Sequence, residues 1–275
     1  MPEEPARQHS ANVVRNTTAF EIHRRAERQK KMQIEPNTFI CADSIEVLRE
    51  IQDKAFDLCL TDPPYGIGAS SVKFINGTSK TEKKYYRADC WDTKPVSDEH
   101  LSLCISKAKN SIVWGGNYFN VSPCRCFLVW DKTIHGNSYA DCEYAWTSFD
   151  DVSRIFSMNI VNVTTDGRCH PTQKPVALFV WCLMNYSKPG DLIIDPFCGS
   201  GTTALACHKT GRRFLCIDKD EEYIKIAQQR YANLIAQQDL FGQNQDGAQN
   251  TSEGRGTANN SASPKAAQVT MELGL

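Results

Sequence analysis

What this 275-residue chain lacks narrows its class before any motif is read. It has no apolar run near the roughly 18 residues that a helical membrane span needs. It has no excess of one charge: 31 Lys and Arg stand against 32 Asp and Glu, a formal net charge of −1. A nucleic-acid contact would therefore have to come from a local patch and not from an overall field. No apolar signal segment is visible in the opening Met1-Pro2-Glu3-Glu4-Pro5. The 12 cysteines include no Cys-x-x-Cys pair, the nearest two being Cys124 and Cys126. Metal sites and disulfide frameworks are read from such spacings, and neither is indicated. Cys59, Cys182 and Cys216 lie inside apolar runs, where a reduced thiol acts as a small hydrophobe. No internal repeat is present. The expectation is a soluble protein of a reducing cytoplasm, with no bound metal.

What is there is a chain with 41% hydrophobic residues, enough for one large α/β domain. Residues 1–36 are polar, and Phe20 to Lys31 is rich in Arg and Lys, read as a solvated basic arm or a short basic helix. Residues 238–275 are rich in Gln, Asn, Gly, Ser and Ala and are read as a disordered tail. Between them, at 37–237, strand-like and helix-like stretches alternate. Strands are expected at 38–41, 55–61, 111–114, 126–130, 191–195 and 213–217, with further candidates at 143–149 and 154–156. Helices are expected at 44–51, 98–109, 175–186, 202–209 and 220–235. Such alternation predicts a doubly wound, mostly parallel sheet covered on both faces.

Two short strings carry chemistry. Asp195-Pro196-Phe197-Cys198-Gly199-Ser200-Gly201-Thr202-Thr203 follows the apolar run Leu192-Ile193-Ile194. It reads as a turn from strand to helix in which glycines permit unusual backbone angles and close approach of a ligand. Asp218 ends the next strand, where an acid can accept hydrogen bonds from both hydroxyls of a ribose. Gly199-x-Gly201-x-x-Ala204 also satisfies the loose dinucleotide fingerprint, which keeps a nicotinamide-dependent oxidoreductase on a Rossmann-like fold open. That reading leaves Asp195 and Pro196 unexplained, since a pyrophosphate gains nothing from a carboxylate ahead of its turn. A zwitterionic methionine moiety carries an ammonium that could use one.

The other string, Asp62-Pro63-Pro64-Tyr65, ends the apolar run 55–61. An exocyclic amine on a nucleobase is a poor nucleophile because its lone pair is delocalised into the ring. Two acceptors that take its two N–H bonds draw the nitrogen towards tetrahedral geometry. Asp62 offers one acceptor and a proline carbonyl, best that of Pro63, a second on a stiffened backbone. Tyr65 offers a face for stacking a base taken out of the duplex.

Together these strings resemble the DNA amino-methyltransferases that modify N6 of adenine or N4 of cytosine. The resemblance spans roughly residues 38–235. It implies a Rossmann-like fold with a seven-stranded sheet, S-adenosyl-L-methionine as cofactor, and double-stranded DNA as partner. Asp195, Phe197, Gly199, Ser200, Gly201 and Thr202 would surround the methionine part of the cofactor, and Asp218 its ribose. His170-Pro171-Thr172-Gln173-Lys174-Pro175 is similar to the family's other cofactor motif, placing Thr172 and Lys174 near the methionine carboxylate. Asp43 resembles the acid beside the cofactor adenine, and it could equally cap helix 44–51. Trp114 to Phe119, Trp130-Asp131-Lys132 and Asp141 to Trp146 resemble the phage-type adenine methylases and are assigned to framework and base-pocket edges. The catalytic turn precedes the cofactor turn, which matches the permuted branch of the family. It implies that the strands ending at Thr61 and Asp195 lie side by side, with Asp62 and Asp195 facing one pocket. Asp as first residue of the catalytic motif leans towards adenine, with N4-cytosine the alternative.

Target recognition has two candidate insertions, about 66–97 and 132–170. The first carries Lys73, Lys80, Lys83, Lys84 and Arg87 around Tyr85 and Tyr86, with Glu82 the one acid among them, a composition suited to phosphate contact and base stacking. Lys73, Lys83, Lys84 and Arg87 are the DNA-contact candidates. The second carries Lys132, His135, Asn137, Arg154 and Arg168. A cytosine-C5 mechanism built on Cys124 is rejected, because Asp62 to Tyr65 occupies the catalytic position. A catalytically dead DNA-binding module is disfavoured because both motifs are intact. A homodimer is compatible with the sequence, which reveals neither the recognition site nor a partner endonuclease.

Overall fold

The alternation of apolar runs and amphipathic stretches is realised as an eight-stranded sheet with helices on both faces. The computed structural model describes residues 33–68, 92–133, 135–136, 140–159 and 173–242, with side chains to 237. The basic arm, most of the first insertion and the tail beyond 242 lie outside the described residues. The chain falls into one unit through Ile235 and a second from Ala236 onward.

In chain order the strands are β1 (Thr38–Cys41), β2 (Phe56–Thr61), β3 (Ala108–Trp114), β4 (Phe127–Asp131), β5 (Cys142–Thr147), β6 (Arg154–Ser157), β7 (Leu192–Asp195) and β8 (Arg213–Asp218). The helices are α1 (Ser44–Glu50), α2 (Asp98–Ser106), α3 (Val176–Tyr186), α4 (Thr202–Thr210) and α5 (Glu221–Gly242). The strand order is β1-β8-β7-β2-β3-β5-β4-β6. All neighbours are parallel except β5, which runs antiparallel to both β3 and β4. The family resemblance implied seven strands; eight form, and the candidate stretch 154–156 is β6, a short edge strand beside β4. Its Ile155 is 66% exposed, so its burial pattern carries no strand signal.

β2 pairs with β7 through Leu58 against Ile193 and Cys59 against Ile194, as the order of the two motifs implied. From β7 the chain moves outward to β8, and from β2 it moves the other way to β3. The gap between β2 and β7 is therefore the point where the winding reverses, and ligands of open α/β sheets bind at the strands' carboxyl ends there. Side chains of the central strands alternate between two cores. Leu58, Leu60, Ile193, Phe214 and Cys216 pack with Phe179 and Leu183 of α3 and Ala204 to Cys207 of α4. Cys59, Ile194, Leu215 and Ile217 pack with Leu48 of α1 and Cys104 of α2. Full burial of each large apolar side chain contributes about 1.5–3 kcal/mol.

Local signals fix the helix ends. Asp43 accepts from Ile45 N (3.1 Å) and caps α1, and Ser97 accepts from His100 N (3.2 Å) and caps α2. α2 stops at Ser106, three residues short of the sequence expectation. Ala108 is already paired with Phe56 in the sheet, and the Lys107 ammonium is tied to Ile51 O (2.9 Å) and Asp53 (2.7 Å). Buried Arg212 donates to the carbonyls of Leu183, Ser187 and Thr210, closing the ends of α3 and α4 with one guanidinium. No described helix is long and apolar enough to cross a membrane.

Candidate active site

A cleft of about 370 Å³ opens at the carboxyl ends of β1, β2, β7 and β8. Asp43, Asp62, Asp195 and Asp218, one carboxylate from the end of each strand, line it. Phe197, Gly199, Ser200 and Thr202 line it as well. Asp62 and Asp195 thus face one pocket, as the order of the motifs implied.

The turn after β7 is built by its own carboxylates. Asp195 accepts from Thr61 Oγ1 of β2 (2.8 Å), from Phe197 N (3.1 Å) and from Thr203 Oγ1. Burial pushes its carboxyl up to about 7, against those three donors. It is therefore the bolt between β2, β7 and α4 as well as a wall of the cleft. Asp218 accepts from Gly199 N (2.8 Å) and Asp220 N (2.9 Å), and burial raises its pKa despite them. Gly199 and Gly201 differ in what they require. Both have positive φ, +48° and +80°. A Cβ on Gly201 would sit 2.7 Å from Ala227 Cβ of α5, so this glycine serves helix packing. A Cβ on Gly199 meets nothing within 4 Å, because it faces the open cleft. Ser200 donates to Gln173 Oε1 (3.1 Å), and Thr202 Oγ1 lies 3.5 Å from Lys174 O.

The turn after β2 is held from the opposite side. Pro64 O accepts from Val96 N (3.1 Å), Tyr65 bridges to Pro95, and Gly66 N donates to Asp92 Oδ1 (2.6 Å). The Pro63 carbonyl accepts from no N–H among the described residues. Tyr65 donates its hydroxyl to Asp62 Oδ1. One face of its ring stacks on Tyr118 at 4.8 Å between centroids and 13° between planes, so the face expected for a base is shared with a residue of the segment assigned to framework and base-pocket edges. Gly115, at φ +73°, lets that ring lie flat against the end of β3: a Cβ there would be 2.0 Å from Tyr65 Cε1. Gly115→Ala is expected to cost roughly 1–2 kcal/mol for the left-handed backbone alone. It should also push Tyr65 off Asp62, read as a lower denaturation midpoint together with slower turnover.

Lys174 lies on the Asp62 side of the cleft. Its ammonium is 2.7 Å from Asp62 Oδ2, 3.0 Å from Tyr65 Oη and 3.0 Å from Glu143 Oε2. Glu143, from β5, also pairs with Lys132 at 2.8 Å. Sequence reasoning missed Glu143 as a site residue, placing its segment only among framework and pocket edges. It also missed His100, which lies 2.9 Å from Ser44 Oγ and packs on Phe197 at 5.0 Å at the cleft wall. Neither carries a local signal, since each meets its partners only through the sheet. Thr172, His170, Lys73, Lys83, Lys84, Arg87, Asn137 and Arg168 lie outside the described residues. Of the second insertion, Arg154 is exposed and bonds to Asp151, and His135 bonds to Asp131 at 2.8 Å.

A family model described as DNA methylase, of the N6 and N4 type, matches residues 73–229. The chain belongs to the N6/N4 DNA methylase family. The match includes the cofactor turn and begins downstream of Asp62. Among curated relatives, the type II methyltransferase M2.DpnII of Streptococcus pneumoniae is 51% identical, the alignment covering 69% of this chain and 87% of that protein. M2.LlaDCHI of Lactococcus lactis subsp. cremoris is 24% identical, with the same coverage. Among solved structures, the M1.HpyAVI–SAM complex matches with a TM-score of 0.47 at 21% identity, covering 70% of this chain and 98% of that one. This N6/N4 methylase takes its methyl group from S-adenosyl-L-methionine and acts on DNA. The cleft suits that cofactor. Gly199 leaves open space beside its Cα, Phe197 supplies an apolar wall, and several carboxylates can meet an ammonium and ribose hydroxyls.

Proposed function

We propose that this methylase transfers the methyl group to the N6 amine of adenine in duplex DNA, with the base extruded into the cleft beside Asp62. The observation that carries this reading is the shared cleft: Asp62 and the Asp195-to-Asp218 turns open into one space at the junction of β2 and β7. S-adenosylmethionine supplies an electrophilic methyl group on a sulfonium. The chain's own task is to hold the acceptor nitrogen in line with it and to keep water out.

In this reading Asp62 accepts one N–H of the amine and the Pro63 carbonyl the other. Pro64 is already engaged by Val96, which favours Pro63 as the second acceptor. Tyr65 stacks on the base once Tyr118 yields that face. Asp218 takes the ribose hydroxyls, for which its carboxylate oxygens keep lone pairs beyond the two backbone bonds. Asp43 lies beside the adenine end, and Asp195, Phe197, Gly199, Ser200, Gly201 and Thr202 form the methionine end. Thr172 is assigned there too. Lys174 is assigned to the acceptor side, because its ammonium is within 3.0 Å of both Asp62 and Tyr65. Lys73, Lys83, Lys84 and Arg87 contact DNA phosphates, and the surrounding segment reads the site. Adenine is preferred to cytosine because the motif begins with Asp.

Incubating the protein with S-adenosylmethionine and mixed-sequence duplex DNA, then digesting to nucleosides and weighing them, tests the reading. N6-methyladenine is the expected product. N4-methylcytosine would overturn the choice of base, and no methylated nucleoside would overturn the activity.

A further inference from the structure

Asp62 sits at one end of a chain of four alternating charges, in which both lysines are buried and both carboxylates partly so. Its Oδ2 is 2.7 Å from Lys174 Nζ; that ammonium is 3.0 Å from Glu143 Oε2; Glu143 Oε1 is 2.8 Å from Lys132 Nζ. Lys174 and Lys132 are 5% and 7% exposed, so water does little to screen the row. Tyr65 from the same turn and Asp195 from the end of β7 are the other titratable groups facing Asp62. Three strand ends and the segment leading into α3 supply the row, which no helix cap or turn requires.

The arrangement creates a difficulty for the chemistry proposed above. Tyr65 and Lys174 each hold one oxygen of Asp62, and although each oxygen keeps a second lone pair, an incoming amine must share Asp62 with the Lys174 ammonium or displace it. The amine nitrogen also gains positive charge as it is methylated, and a bare ammonium beside Asp62 would oppose that. Glu143 also faces Lys174 and offers the ammonium a second carboxylate, whose buried Oε2 lies 3.0 Å away with no hydrogen bond of its own. We infer that Glu143 is a positioning residue for methyl transfer: it takes up Lys174 when the target amine displaces that lysine from Asp62, and it neutralises the lysine's charge beside the developing cation. This inference rests on Asp62 holding the acceptor amine.

The electrostatics agree in sign. Burial raises the Asp62 pKa, and Glu143 raises it further against Lys174 and Tyr65. Burial opposes the charge on Glu143 as well, but Lys174 and Lys132 outweigh it and hold that carboxyl at about 2. Glu143 is therefore ionised throughout the working range, and its removal lowers the pKa of Asp62.

The test is the single-turnover transfer rate against pH, at saturating S-adenosylmethionine and duplex DNA. Glu143→Gln should lower the rate about 10–100-fold, the scale of one charge-assisted bond, with cofactor affinity unchanged. The acid limb of its profile should move to lower pH, and Glu143→Asp should recover part of the rate. Glu143→Gln leaves two buried lysines against one carboxylate and can destabilise the fold. The double variant Glu143→Gln with Lys132→Gln restores the charge balance and should show the same slow rate and displaced limb. A lower melting temperature with rate and acid limb unchanged would make Glu143 purely structural and overturn the inference. So would a limb displaced upward. Asp62→Ala run alongside separates the two claims: if it still transfers methyl groups, the assignment of Asp62 itself fails. If it is inactive while Glu143→Gln behaves as the parent, only the role of Glu143 fails.

Discussion

Asp62→Ala should abolish methyl transfer, by on the order of 10³-fold or more, while cofactor affinity stays within a factor of about two. The size follows from what the carboxylate is asked to do. A delocalised amine becomes a nucleophile only while its N–H bonds are held out of the ring plane, and positioning and electrostatics supply most of such a rate enhancement. Alanine leaves the Pro63 carbonyl as the single acceptor. It also frees Lys174 and Tyr65, which now meet on Asp62. Cofactor affinity should hold because the turns at Asp195 and Asp218 make their own hydrogen bonds without Asp62. Equilibrium binding of tritiated S-adenosylmethionine beside a single-turnover assay separates the two quantities. Equal loss in both would mean that Asp62 binds the methyl donor and not the base.

Asp218→Ala should do the opposite, weakening cofactor binding about 10–100-fold with little change in DNA affinity. Asp218 closes β8, where Cys41 of β1 is its neighbour across the ladder, and its carboxylate points back at Gly199 N. Two contributions vanish together in the alanine variant: the acceptor for ribose hydroxyls, and the tie that sets the Gly199 backbone at φ +48°. The DNA candidates at 73–87 are far along the chain from this carboxylate and should bind as before. Tritium binding and a gel-shift titration on the same preparation measure both, and a loss confined to DNA affinity would undo the assignment.

The sheet's centre was legible in the sequence because two motifs with known chemistry end two apolar runs. Once Asp62 and Asp195 must share a pocket, β2 and β7 must be neighbours, and they are. The cap of α1 was equally readable, since Asp43 acts within its own turn. The far side of the sheet was not. The stretches 143–149 and 154–156 were strand candidates, but the reversed direction of β5 and the place of β6 beside β4 rest on pairings that nothing local announces. The same holds for the site. Tyr118 stacks on Tyr65 from the turn after β3, while Glu143 of β5 and Lys132 at the end of β4 are linked to Asp62 through Lys174. Their convergence exists only in three dimensions, so no spacing along the chain records it.

The adjacency of β2 and β7 also governs how the protein comes into being. Thr61 and Asp195, bonded at 2.8 Å, are 134 residues apart in the chain. A chain folded only as far as β3 therefore carries Asp62 on a strand whose second edge has no neighbour until β7 follows. Long-range parallel pairings of this kind form slowly, because the loop they close must be ordered before the contact repays it. Until β7 pairs with β2, Asp62 has no cofactor turn to face, so the two halves of the cleft come together only with that pairing.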